Sequence, residues 1–120
     1  MMPIDLTLDR ELLDENAEFG LDDLNELIEL YLAQADEIMG ELRTAVQTGA
    51  AKDVDHLAHK LAGSSAVCGV AAMIEPLRSL EKLGHEGHLA GSDQLLAEAT
   101  ERLELCRRLL AAYLAEKGRP

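Results

Sequence analysis

A nucleophile working near neutral pH is most simply an imidazole, and the chain carries four histidines: His56, His59, His85 and His88. His59 is set apart by its spacing. It lies in VDHLAHKLAGSSAVCG, residues 54–69, which reads as helix. At about 100° per residue, Leu57 and Leu61 fall about 160° from His59 on either side, and Val54, Ser64 and Cys68 share that far sector. His59 is therefore expected to point to water. Residues three, four and seven apart share a helix surface, so its own face holds Asp55 and His56 one turn back and Ala62, Gly63 and Ala66 ahead. The last three are too small to cover an imidazole ring. A mid-helix glycine costs about 1 kcal/mol relative to alanine, so Gly63 calls for a reason. That reason is access: the missing side chain lets another macromolecule approach the ring.

Other chemistries are poorly served. His56 lies about 60° from His59 around the helix and reads as solvated or partner-facing. The His85–His88 pair sits in GHEGHLAGS, which lacks the H-E-x-x-H spacing of zinc hydrolases, and no Glu-x-x-His of the di-iron bundles occurs, so no metal site is expected. No Gly-rich phosphate loop or Walker lysine is present, so the chain is not expected to phosphorylate itself from a nucleotide. Cys68 and Cys106 have no C-x-x-C spacing and fall on apolar helix faces, where they read as reduced core residues.

The elements that hold His59 follow from apolar recurrence. Thr7 or Asp9 can cap a short first helix ending before Gly20. A long helix from about Asp22 to Gln47 carries Leu24, Leu27, Ile28, Tyr31, Ala35, Ile38, Leu42 and Val46 on one stripe. The histidine helix spans about Lys52 to Val67, and Gly69 breaks the path. A fourth pattern places Val70, Met73, Ile74, Leu77 and Leu80 inward, with Pro76 expected to kink it or delay its start. Gly84 to Ser92 is expected to be a connection, and a last helix from about Asp93 to Glu116 buries Leu96, Ala99, Leu103, Cys106, Leu110 and Tyr113. The sum is an all-α chain: an antiparallel up-and-down four-helix bundle with a short extra N-terminal helix, forming one domain over residues 1–120.

Composition bounds the partners. Eleven basic against twenty-three acidic residues give a net charge of −12, which repels nucleic-acid phosphates and anionic lipid heads and keeps a bundle monomeric. No apolar run approaches the ~20 residues of a membrane span, and MMPIDLTLDRELLDE has acids where a signal peptide has bases, so the expected location is the cytoplasm.

At His59 to Ser65, HKLAGSS, with Gly69 following, the chain resembles the histidine-containing phosphotransfer (HPt) domains of multistep two-component phosphorelays. Their motif runs roughly H-x-[hydrophobic]-K-G-[SA]-[SA], with a glycine a turn later. The resemblance makes His59 the phosphoacceptor, Leu61 the hydrophobic position, Gly63 the access glycine, Ser64 and Ser65 the small pair and Gly69 the helix-ending glycine. Ala62 stands where the family usually has lysine. Lys60 is a lysine, but about 100° further round the helix, so its stem would have to bend back. The resemblance implies a carrier that accepts phosphate from a receiver-domain aspartate and passes it to another. Its partners would be response-regulator receiver domains and a hybrid sensor kinase, with no cofactor of its own and Mg²⁺ held by the receiver. The alternative is a module that keeps the bundle and docks on receivers without accepting phosphate. Phe19 and Leu21, at the junction of the first two helices, are candidates for the docking surface or for the core.

Overall fold

The computed structural model describes residues 7–118, and these form five α-helices and one short 3₁₀ turn. In chain order they are α1 (Arg10–Glu18), α2 (Leu21–Gln47), α3 (Ala51–Val67), the 3₁₀ turn (Ala71–Met73), α4 (Ile74–Glu86) and α5 (Ser92–Lys117). Helices α2 to α5 pack in a ring, each against the next, and α5 closes onto α2. Short connections and this cyclic order make an antiparallel up-and-down bundle. The core is one contiguous set of buried side chains, among them Leu24, Ile28, Ile38 and Leu42 of α2, Val54 and Leu61 of α3, Leu77 and Leu80 of α4, and Leu103, Cys106 and Leu110 of α5.

α1 lies across one end. Asp9 caps it by accepting from the Leu12 amide at 3.1 Å, and the Asp9 amide donates to the Gly69 carbonyl at 2.8 Å, tying the N-terminal segment to the end of α3. The Tyr113 hydroxyl of α5 donates to Asp14 of α1 at 2.6 Å, and Lys117 lies 3.1 Å from the same carboxylate. This hydrogen bond, followed by Lys117, holds Asp14 below the usual carboxylate range.

The end of α3 is set by Gly69. With φ +74 it takes the left-handed conformation that lets the Val70 amide reach back to Ser65 O at 2.8 Å, closing a Schellman cap. A Cβ on Gly69 would also meet Leu13 and the Asp9 carbonyl at 3.1 and 3.3 Å. Pro76 does not kink α4. It sits in the first turn, where amides have no intrahelical acceptor, so its missing N–H costs nothing.

Two expectations are corrected here. The connection before α5 does not begin at Gly84, because α4 continues to Glu86 and turns at Gly87 with φ +76. Gly84 is a packing residue: a Cβ there would lie 2.5 Å from the Asp55 amide nitrogen and 2.6 Å from the Ala51 carbonyl oxygen. α3 and α4, the most extensive helix pair, meet backbone to backbone at this point. Ala62 is the second correction: instead of lying open beside His59, it is 0% exposed. The buried residues of α3 are Val54, Ala58, Leu61, Ala62 and Ser65, an arc whose centre lies only about 110° from His59. Small alanines let α4 pack close on that side, so burial extends past the leucines.

Candidate functional site

His59 stands midway along α3 with its side chain 68% exposed. It is not, however, loose in solvent. From α4, the Glu81 carboxylate oxygen Oε2 lies 2.8 Å from His59 Nδ1, and the Arg78 guanidinium donates to Glu81 Oε1 at 2.6 Å. Arg78 and Glu81 are three residues apart, so both project from one surface of α4 toward the ring. A carboxylate only accepts hydrogen bonds, so the short contact puts a proton on Nδ1. In the neutral imidazole Nε2 then carries the lone pair. Arg78 Nη1 is 3.3 Å from the same Nδ1. A guanidinium only donates, so with Nδ1 protonated this second approach is proximity and not a hydrogen bond. The Arg78 hydrogen bond, with a smaller contribution from His59, holds Glu81 below its ordinary range against the opposing effect of burial. Glu81 is thus an anion across the neutral range.

On the other side of His59, toward α2, the surface opens into an apolar groove of about 530 Å³. It is lined by Leu27, Leu30, Tyr31 and Gln34 of α2, and by Gly63, Ser64, Val67 and Cys68 at the end of α3. Leu30 and Val67 are 64% and 66% exposed. Nothing lies within 4 Å of a Cβ built on Gly63, so this chain's own packing does not demand glycine there. Beneath the groove floor, Ser65 donates to the Leu61 carbonyl at 2.7 Å and accepts from the Tyr31 hydroxyl at 2.7 Å. That buried pair pins the histidine helix to α2.

The residues named from the sequence therefore sort by place. His59, Lys60 and Ala66 are exposed on α3, Gly63 and Ser64 line the groove, and Leu61, Ala62 and Ser65 are core. His56 is exposed but faces a different recess, shared with Glu41, Thr44, Thr48 and Asp53. Phe19 is 83% exposed at the end of α1, and Leu21 is half-buried toward Gly118 at the end of α5; neither lines the groove. Leu27, expected in the core stripe, is instead 36% exposed and lines the groove, at the edge of the buried stripe of α2. Leu30, Val67, Arg78 and Glu81 were missed. Leu30 and Val67 had a signal, being apolar residues off the stripes of their helices. Arg78 and Glu81 had only their mutual spacing.

An up-and-down bundle with an exposed mid-helix histidine, held through Nδ1 by a carboxylate of the next helix, belongs in architecture to the histidine phosphotransfer class. The profile of the Hpt domain matches residues 26–116, which covers most of the chain, and the protein belongs to that family. Its fold is similar to the crystal structure of histidine-containing phosphotransfer protein B (HptB) from Pseudomonas aeruginosa PAO1. The TM-score is 0.86 at 23% sequence identity, over 92% of this chain and 96% of that one. No curated protein sequence gives a significant match. Members of the Hpt family are phosphorelay phosphocarriers rather than kinases. No helix among the described residues is long and apolar enough to cross a membrane.

Proposed function

We propose that His59 is the phosphoacceptor and that the protein shuttles a phosphoryl group between receiver-domain aspartates. The observation that carries this reading is the pairing of Nδ1–H with Glu81, which leaves the Nε2 lone pair free on an open surface. Nε2 attacks the phosphorus of an aspartyl phosphate, the P–N bond forms as the P–O bond breaks, and the electron pair leaves with the receiver's carboxylate. No proton need move. The ring becomes a phosphoimidazolium whose positive charge sits beside the Glu81 carboxylate, and the return step runs through the same groups in reverse. Mg²⁺ and the in-line geometry come from the receiver, whose aspartate pocket supplies them. The docking surface is the apolar groove, where Gly63 lets the partner's backbone approach one helical turn from His59. A hybrid sensor kinase is the upstream donor, and the carrier works as a cytoplasmic monomer.

The test is transfer from a purified receiver that has been phosphorylated with a small phosphodonor. The carrier should gain an acid-labile, alkali-stable label that is absent in His59→Gln and retained in His56→Gln. Label that survives in His59→Gln but disappears in His56→Gln would transfer the role to the other histidine. Binding without label, with any receiver, would make the protein a docking module.

A further inference from the structure

A phosphoryl group on His59 places about two negative charges on its oxygens, of which the phosphoimidazolium ring offsets one, on a molecule that already carries a net charge of −12 and beside a ring whose nearest ionised neighbour is the Glu81 carboxylate. A cation beside the ring would offset that charge. The position three residues after the histidine cannot, because Ala62 has no charge and its side chain is sealed against the neighbouring helix. Lys60 is exposed and makes no ion pair among the described residues, but it points about 100° around α3 from His59. Arg78 comes instead from α4. It is the cation with a polar atom at the ring, Nη1 lying 3.3 Å from Nδ1, and its guanidinium spends one N–H on Glu81 Oε1. Five N–H groups in a rigid fork leave it further donors, in the planar arrangement that suits phosphoryl oxygens.

We propose that Arg78 is the phosphoryl-binding cation of this carrier, serving from the opposing helix where the histidine's own helix offers no charge. The inference rests on the carrier reading of His59 and adds the group that holds the transferred phosphate. The Glu81 pair keeps the guanidinium parked against the ring before transfer. When the phosphoryl group arrives on Nε2, the free N–H groups turn to its oxygens while Glu81 keeps Nδ1–H. The Arg78 side chain is half-exposed, so it has room to rotate from Nδ1 toward a group on Nε2 of the same ring.

The experiment compares wild type, Arg78→Gln, Arg78→Lys, Lys60→Ala and the pair Glu81→Gln and Glu81→Gln/Arg78→Gln. Each is assayed for transfer rate from a phosphorylated receiver, affinity for the unphosphorylated receiver, and the ³¹P resonance of the phosphorylated carrier. Arg78→Gln should slow transfer by about ten- to a hundredfold with little change in affinity, and should shift the ³¹P resonance. Arg78→Lys should recover much of the rate, and Lys60→Ala should behave as wild type. In the Glu81→Gln background, Arg78→Gln should still slow transfer; if it does not, Arg78 acts only by orienting Glu81 and the proposal fails. Wild-type transfer and an unmoved ³¹P resonance in Arg78→Gln would also overturn it, while leaving His59 as acceptor. Absence of label on the wild-type protein would overturn both readings together. Arg78 is half-exposed, and its variants should melt close to wild type, which circular dichroism checks.

Discussion

His59 acquires its properties from three neighbours rather than from its own exposure. Glu81 selects the tautomer, Arg78 holds Glu81 ionised, and Gly63 leaves the approach clear. Two predictions belong at this scale. Gly63→Ala adds a methyl group to open space, so it should stabilise the fold by up to about 1 kcal/mol through helix propensity. The same methyl faces the docking groove, so receiver binding should weaken while the melting temperature rises. Equal binding would show that the glycine is not there for access. The second concerns Glu81, whose carboxyl the Arg78 hydrogen bond holds below the ordinary glutamate range. A depressed carboxylate contributes stability above its unfolded pKa and loses it as pH falls through the folded value. The Glu81 carboxyl resonance should therefore titrate below the range of an ordinary glutamate. Its midpoint should climb back toward the ordinary range in Arg78→Ala, since the Arg78 hydrogen bond is the largest cause of the shift.

At the scale of elements, the site exists because α3 and α4 approach more closely than leucine-lined helices can. Gly84, Ala58 and Ala62 remove side-chain volume from that seam, and the gain is that Arg78 and Glu81 reach His59. Gly84→Ala forces a Cβ to within 2.5 Å of backbone nitrogen, so one helix must move. Destabilisation of about 1–3 kcal/mol is expected from chemical denaturation, and transfer should slow as the Arg78–Glu81 pair is carried off the ring. The α2–α3 side behaves differently. Leu30 is already solvent-exposed, so Leu30→Asp should change stability by no more than about 0.5 kcal/mol, yet weaken receiver binding measured by calorimetry. Unchanged affinity would remove the groove from the interface.

For the molecule as a whole, one continuous core and short connections should give a single cooperative unfolding unit. The two thiols report on it. Both are buried, and burial raises the Cys68 thiol and pushes Cys106 up to about 11, so neither presents thiolate at neutral pH. Cys106 should react with a disulfide reagent only at the rate of global opening, matching unfolding followed by circular dichroism. Fast modification in native buffer would reveal a local opening that frees α5. The acidic surplus acts at this scale as well, and it contrasts with the apolar groove beside His59, which is the docking place proposed above.

The helices themselves were legible in the chain. Leucine and alanine recur at helical spacing, glycines stand at the turns, and the bounds found differ by a residue or so from those expected for α2, α3 and α5. HKLAGSS also pointed to the histidine and to the family. These features are local: each helix carries its own periodicity and its own caps, so one segment is enough to determine them. Which face of α3 meets α4 is not local, and it was decided by tertiary packing. Periodicity set the buried arc by the leucines, but the seam runs along the alanines, which closes Ala62 and leaves His59 on its rim. Arg78 and Glu81 follow His59 by 19 and 22 residues, and nothing in such a separation signals contact. Gly84 read as a breaker because glycine often ends helices; only the neighbouring backbone of Asp55 and Ala51 shows that it is a point of close approach. The chain specified an accessible imidazole, and the pairing of two helices supplied the acid that orients it and the arginine beside it, because side-chain chemistry across a seam depends on distance in space and not on order in sequence.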